Sequence, residues 1–158
     1  MAGFVQIARD LALLLARVGL GLVLILHGWR RWQVLGVDSQ VDYLRRFGTP
    51  FAEYAAWGGT LLELIGGVFL IVGALTPLVA AVVVVEQVLI IAYTSWSNHF
   101  FLNSVQDGAV TWRGGYEYNL VIGLLALLLV VFGSGRIGID RLFRRNRTPN
   151  DELTADSA

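Results

Sequence analysis

The chain contains no cysteine. That excludes disulfides, thiol nucleophiles, covalent c-type haem attachment and cysteine-ligated zinc or iron–sulfur centres. Lysine is absent as well: all twelve basic residues are arginine, and twelve acidic residues balance them. A net charge of zero leaves no basic field for nucleic acid, and the exclusive use of arginine fits a GC-rich bacterial genome. Charge of either sign is scarce, at 15% of 158 residues. What fills the space is apolar: 56% of the residues are hydrophobic and the mean hydropathy is +0.63. Lipid is the solvent this composition is built for.

The apolar residues fall into runs near the roughly 20 needed to cross a bilayer. The reading is an all-α fold, a four-helix transmembrane bundle with short amphipathic interfacial segments. Span one runs from about Leu11 to Trp29, span two from about Tyr54 to Leu75, span three from just after Thr76-Pro77 to about Ser97 and span four from about Tyr118 to Phe132. The first run carries Arg17 and ends in His27-Gly28-Trp29-Arg30-Arg31-Trp32 without a small-residue cleavage pattern, so it is expected to stay attached rather than be removed as a signal peptide. Thr49-Pro50 and Thr76-Pro77 each place a capping hydroxyl ahead of a proline, where a missing N–H costs nothing. Only Thr76-Pro77 separates spans two and three, which predicts a tight antiparallel hairpin.

Between the first two spans, Val41, Leu44 and Phe47 form an apolar stripe beside Arg45 and Arg46. That pattern suits either a helix lying on the headgroups or a solvated loop. After Gly133-Ser134-Gly135, residues Ile137 to Arg147 read as a basic interfacial helix. The membrane domain is therefore 1–147, and the polar, acidic tail 148–158 is expected to be disordered. Arginines near the spans number six on the side of the termini and five opposite, which orients both termini toward the cytoplasm.

Ionisable residues inside apolar runs are costly, about 2.5–3.5 kcal/mol for a charge near a helix centre. They should therefore face the bundle and find partners. Arg17 and Glu86 lie at comparable depth from one side and are expected to form a buried ion pair, structural in preference to a relay. Toward the other side fall His27, Glu63, Arg113 and Glu117, which together can line a polar pocket, although His27 and Glu117 also suit plain solvation at helix ends. Glu63 is the firmest of these. Gly59, Gly66 and Gly73 recur at seven-residue intervals on its helix, so the four residues share one closely packed face. Glu86, Tyr93 and Ser97 suggest a weaker polar stripe on span three. Trp57, Trp96, Trp112, Tyr116 and Tyr118 read as an aromatic belt. His27 and His99 can be imagined as haem ligands, but His99 stands beyond the apolar run and a haem is disfavoured. No metal cluster is evident.

The run Arg17-Val18-Gly19-Leu20-Gly21 leading to His27-Gly28, the loop Phe47-Gly48-Thr49-Pro50, then Glu63-Leu64-Ile65-Gly66-Gly67 and Gly73-Ala74-Leu75-Thr76-Pro77 resemble the DoxX family of small bacterial membrane proteins. Glu117-Tyr118-Asn119 and Gly133-Ser134-Gly135-Arg136-Ile137-Gly138-Ile139-Asp140 resemble its closing pattern. Two departures stand out: Arg30 and Arg31 occupy the place where the family often has lysine, and Ser134 replaces the proline of a Gly-Pro-Gly. The resemblance implies a multi-pass subunit of the bacterial inner membrane, accessory to an oxidoreductase assembly, with links to quinones and oxidative-stress defence. Catalysis by the chain alone is not implied. A quinone would bind without a covalent link near His27, Glu63, Glu117 and Arg113, whose types suit a group that takes up protons with electrons. The alternatives are a cofactor-free scaffold recruiting partner proteins in the membrane and a small-solute transporter.

Overall fold

A computed structural model describes residues 2–106, 109–112 and 114–140. Helix α1, Ala2–Trp29, continues through a wide π-helical turn, Arg30–Leu35, and Gly36 then lets the chain reverse into α2, Val37–Arg46. Helix α3, Ala52–Leu61, runs through a second π turn, Leu62–Gly66, into α4, Gly67–Val72. Helix α5, Thr76–Ile90, ends in a third π turn, Ile91–Ser95, and a short 3₁₀ turn, Trp96–Asn98. A hairpin of strands β1, Asn103–Gln106, and β2, Ala109–Trp112, precedes α6, Glu117–Phe132. The all-α expectation therefore needs this small antiparallel addition. Its Asn98–Phe101 approach contains no hydrophobic periodicity that would have announced it.

Three helical stretches are long and apolar enough to cross a membrane: Gly3–Leu35, Ala52–Val72 and Thr76–Asn98. The fourth expected span, α6, has 16 residues, about 24 Å at 1.5 Å per residue, short of the roughly 30 Å hydrocarbon core. All four stretches nonetheless contribute to one apolar core, with Leu20 and Leu24 from α1, Leu70 from α4, Val79 and Val83 from α5, and Ala126 and Leu129 from α6. The outward faces are apolar too: Leu15, Val85 and Val121 are all more than half exposed. Apolar surface turned outward along whole helices is what a bilayer solvates and water does not.

The α1–α4 crossing is set by two glycines. A Cβ on Gly67 would lie 2.6 Å from the Gly21 carbonyl oxygen, and one on Gly21 would lie 2.6 Å from that of Gly67. Bare backbones meet there, as small residues allow in membrane helices.

Two expected helix starts are built differently from the sequence reading. Helix α3 begins at Ala52, after Phe51 in a left-handed conformation (φ 54°), not at Thr49-Pro50. At α5 the proline does stand in the first turn, but the Thr76 hydroxyl is buried without a partner. The Asp140 carboxylate caps this helix instead, accepting from the amides of Leu75 (2.6 Å) and Thr76 (3.0 Å). The chain after α6 thus folds back onto the α4–α5 turn, where the Asp140 amide donates to the Gly73 carbonyl at 3.0 Å. Gly73 (φ 72°) is required there, because a Cβ would collide with the Arg17 guanidinium. Asp140→Ala is expected to lower stability by about 1 kcal/mol, within the range for losing a helix cap. Thermal unfolding in detergent checks it, with Asp140→Asn recovering part of the loss.

Helix α2 exists, but its apolar stripe does not lie on headgroups. Val37, Val41 and Leu44 are buried against Ala52 and Ala56 of α3, so protein covers the face assigned to lipid. The remainder of the expected basic helix beyond Asp140 and the expected disordered tail 148–158 lie outside the described residues.

Candidate functional site

Polar residues converge where the three π turns meet. Such a turn inserts a residue into the helical repeat and re-aims the side chains around it, and π turns concentrate at functional sites. The first carries Arg31, the second Glu63 and the third Thr94 and Ser95. Arg31 leaves its turn with a long side chain that points back toward the helix N-terminus and so into the bundle. Its Nη2 donates to Glu63 Oε1 at 3.0 Å. The Glu63 side chain is 5% exposed and that of Arg31 16%, while Glu63 Oε2 is buried with no partner.

Glu63 and Arg31 line a central cavity of about 210 Å³ together with His27, Gln87, Tyr118 and Asn119. The Tyr118 hydroxyl and His27 Nε2 stand 2.8 Å apart. Asn119 Nδ2 donates to Gln87 Oε1 at 2.9 Å, and Gln87 Nε2 reaches Glu86 Oε2 at 3.5 Å. Gln40, Tyr43 and Leu44 of α2 close one side, so the amphipathic helix serves as a roof. A second cavity of about 480 Å³ adjoins the first between α3 and α5, and Arg31, Gln40, Leu44, Ile90 and Thr94 line both.

The expected Arg17–Glu86 pair does not form. Arg17 is fully buried, yet its Nη2 donates to the Ile137 carbonyl at 3.0 Å, and its Nε and Nη1 have no partner. Glu86 faces the opposite way: its Oε1 and Arg31 Nη1 lie 3.0 and 3.1 Å from the point a Gly59 Cβ would occupy. Depth alone suggested the pairing; the direction and reach of the Arg31 side chain decide it otherwise. Near the same end as Arg17, Asp10 is buried and lies 3.9 Å from Arg136. Its position one residue before the first apolar run gave the only hint of burial.

Of the four expected pocket residues, the structure brings His27 and Glu63 into one cavity. Glu117 lies elsewhere, its Oε1 accepting from the Leu102 amide at 3.0 Å and so fastening the hairpin to the start of α6. Arg113 lies outside the described residues. His99 sits in the loop before the hairpin, its carbonyl accepting from the Tyr116 amide at 3.2 Å, and does not line the cavity with His27. Tyr118 leaves the expected aromatic belt for the bundle interior, whereas Trp96 and Trp112 stay exposed and Tyr116 stacks on Trp96 at 5.8 Å. The third π turn also splits the expected Glu86–Tyr93–Ser97 stripe: Glu86 and Tyr93 line the second cavity and Ser97 does not.

The DoxX family model matches residues 12–96. The chain belongs to the DoxX family. It is also 28% identical, over 137 residues, to the inner membrane protein YphA of Escherichia coli strain K12, across 85% of this chain and 91% of that protein. No solved structure matches. This DoxX protein is thus a multi-pass membrane protein, and the family match covers α1 through the third π turn. Tyr118 and Asn119, which complete the cavity, come from beyond the matched stretch.

The residues that sequence reasoning passed over are Arg31, Gln87, Tyr118 and Asn119. Arg31 carried a signal, as one of the arginines after His27-Gly28. The two amides carried less, since an isolated Gln or Asn in an apolar run costs far less to insert than a charge.

Proposed function

We propose that this DoxX protein is an accessory membrane subunit of an oxidoreductase assembly, whose central cavity takes a quinone-like headgroup. The observation that carries this reading is Glu63. Its Oε2 is buried and unpartnered at the wall of a cavity, and a buried acceptor left unpaired marks a place where a further group is expected. The residues around it fit such a headgroup. Amide donors from Gln87 and Asn119 and the Tyr118 hydroxyl suit ring carbonyls, and the cavity is the size of a ring, below the roughly 300–1,000 Å³ of sites for whole drug-sized ligands.

When bound, a quinone would supply reversible electron and proton uptake. The chain's own part is to bind, orient and protonate. Arg31 holds one Glu63 oxygen, and the other is buried without a partner in a residue of the cavity wall. The His27–Tyr118 pair offers a second place for a proton to be held, between an imidazole and a phenol.

We also assign the chain to the bacterial inner membrane with both termini cytoplasmic, and α6 to a fourth crossing. The supports are the relative's printed description, the arginine balance and the burial of Ile122, Ala126 and Leu129 in the shared core. A short helix is accommodated by local thinning of the bilayer.

The test is direct binding of a short-chain benzoquinone to the purified protein, read by quenching of tryptophan fluorescence. Glu63→Leu, which leaves neither donor nor acceptor at that wall, is expected to weaken binding about tenfold, the worth of one hydrogen bond. Unchanged affinity in that variant removes the headgroup assignment.

A further inference from the structure

The larger cavity between α3 and α5 is unlike the polar one it joins. Its walls are apolar, with Leu62, Val82, Val85 and Leu89 among them, and its charged residues, Arg31 and Glu86, lie at the end shared with the polar cavity. Val82, Val85 and Leu89 are about half exposed and belong to a stretch long and apolar enough to cross the membrane. The exposed wall of the groove is therefore the lipid-facing side of a membrane-crossing helix, while Thr49 and Pro50 carry the lining up to the loop between α2 and α3. Gly58 lines it, and a Cβ built on Gly58 meets nothing within 4 Å: the absent side chain is part of the opening. At the neighbouring Gly59 the opposite holds, since a Cβ there would press on Glu86 and Arg31.

We infer that this groove is the port and seat for the apolar chain of the same ligand whose headgroup occupies the polar cavity. The ligand is then a membrane-resident amphiphile, a quinone with a long polyprenyl or alkyl chain, and not a water-soluble one. This rests on the headgroup reading above and specifies its ligand class. Three features of the structure require such an occupant together. The two cavities are continuous through Arg31, Gln40, Leu44, Ile90 and Thr94. Polarity changes at that junction from amides and a carboxylate to aliphatic side chains. The exposed wall at the apolar end faces lipid, where a chain can trail without desolvating any polar group. A soluble ligand would gain nothing from the groove, because burying an apolar wall requires apolar surface on the ligand.

The substitution that separates these outcomes is Gly58→Leu, which puts four carbons into the groove, keeps clear of Glu63, His27 and Tyr118, and meets no neighbour at Cβ. The full-length protein in nanodiscs is titrated with two probes: a benzoquinone bearing a decyl chain, and the same ring with a methyl group in its place. Gly19→Leu is the control, because its Cβ also meets nothing within 4 Å but lies away from the groove. With probe concentrations referred to the bilayer, so that partitioning into lipid cancels, the wild type and Gly19→Leu are expected to bind the decyl probe about tenfold more tightly than the methyl probe, through packing of the chain against the groove walls. In Gly58→Leu that advantage is expected to vanish while the methyl probe binds as before. A decyl advantage that survives in Gly58→Leu overturns the groove assignment and leaves the headgroup reading standing. If neither probe binds the wild type, or both bind regardless of Glu63→Leu, the headgroup reading falls and the groove assignment with it. A phospholipid retained by the groove in native mass spectrometry, and not displaced by the decyl probe, also overturns the assignment.

Discussion

Gly67→Leu is expected to abolish recovery of folded protein. The residue sits where α1 and α4 touch through their backbones, and a Cβ at that place would stand 2.6 Å from the Gly21 carbonyl oxygen, 2.7 Å from Ile25 Cγ1 and 3.2 Å from the Ile25 amide nitrogen. Two of those three atoms are main chain, so no rotamer change relieves the clash. Overpacking a core ordinarily costs about 1–3 kcal/mol; here the two helices must separate along their length, and the cost exceeds that range. Separation would also expose the buried Leu20, Leu24 and Leu70 to lipid, which offers no hydrophobic force to drive them back together. Size-exclusion chromatography of a fluorescent fusion reads the result. Gly19→Leu, two residues from Gly21 on α1, meets nothing within 4 Å at its Cβ and should leave the elution profile unchanged.

The second large effect concerns the buried ion pair. Arg31→Met leaves Glu63 in a cavity wall without its guanidinium and leaves Glu86 without its only nearby cation among the described residues. Breaking a buried pair from one side costs about 3–5 kcal/mol, because an uncompensated charge stays behind. The outcome differs when both partners go. Arg31→Met combined with Glu63→Leu removes the Glu63 charge along with its counterion, so part of the lost stability should return, the remainder staying lost at Glu86, which still lacks its cation. A double-mutant cycle of thermal unfolding midpoints in one detergent measures the coupling. Additive single losses would show that the pair contributes nothing to the fold.

Binding and folding place different demands on that pair. The double variant should fold yet fail to hold a benzoquinone, since both the donor and the carboxylate that line the cavity are gone. Stability recovered without affinity would separate the structural part of the network from its ligand-facing part. Glu63 allows that separation because it uses one oxygen for Arg31 and leaves the other without a partner.

The sequence was most legible where hydrocarbon imposes its own rule. Runs of apolar residues gave spans two to four to within a few residues, because an unpaired backbone group in lipid is too costly for any alternative to helix; the first helix instead starts at Ala2, nine residues before the expected Leu11, and continues through Leu35. The glycine spacing around Glu63 likewise gave the inward direction of the carboxylate, since close approach needs small residues on the same face. What could not be read were partners. Arg17 and Glu86 matched in depth, but depth along a helix says nothing of where a long side chain ends, and Arg31 reached into the bundle from a position that looked like its boundary. The π turns added to this. Each inserts a residue into the repeat, so Thr94 and Ser95 turn inward where regular spacing would have continued the face of Glu86 and Tyr93. Glu117 was misassigned for a related reason: it opens a helix, and its carboxylate serves the local turn through Leu102 at a place where a span boundary suggested a pocket.

The Asp140 cap has a consequence for the order in which the molecule matures. The acceptor that satisfies the first amides of α5 lies 64 residues downstream of Thr76, and at synthesis rates of about 5–20 residues per second it emerges roughly 3–13 s later. During that interval the hairpin of the second and third spans is already in place with its turn unfastened. A stretch made seconds later is therefore the clasp for a joint made much earlier, and a chain halted before Asp140 would carry all six described α-helices and still hold that joint open.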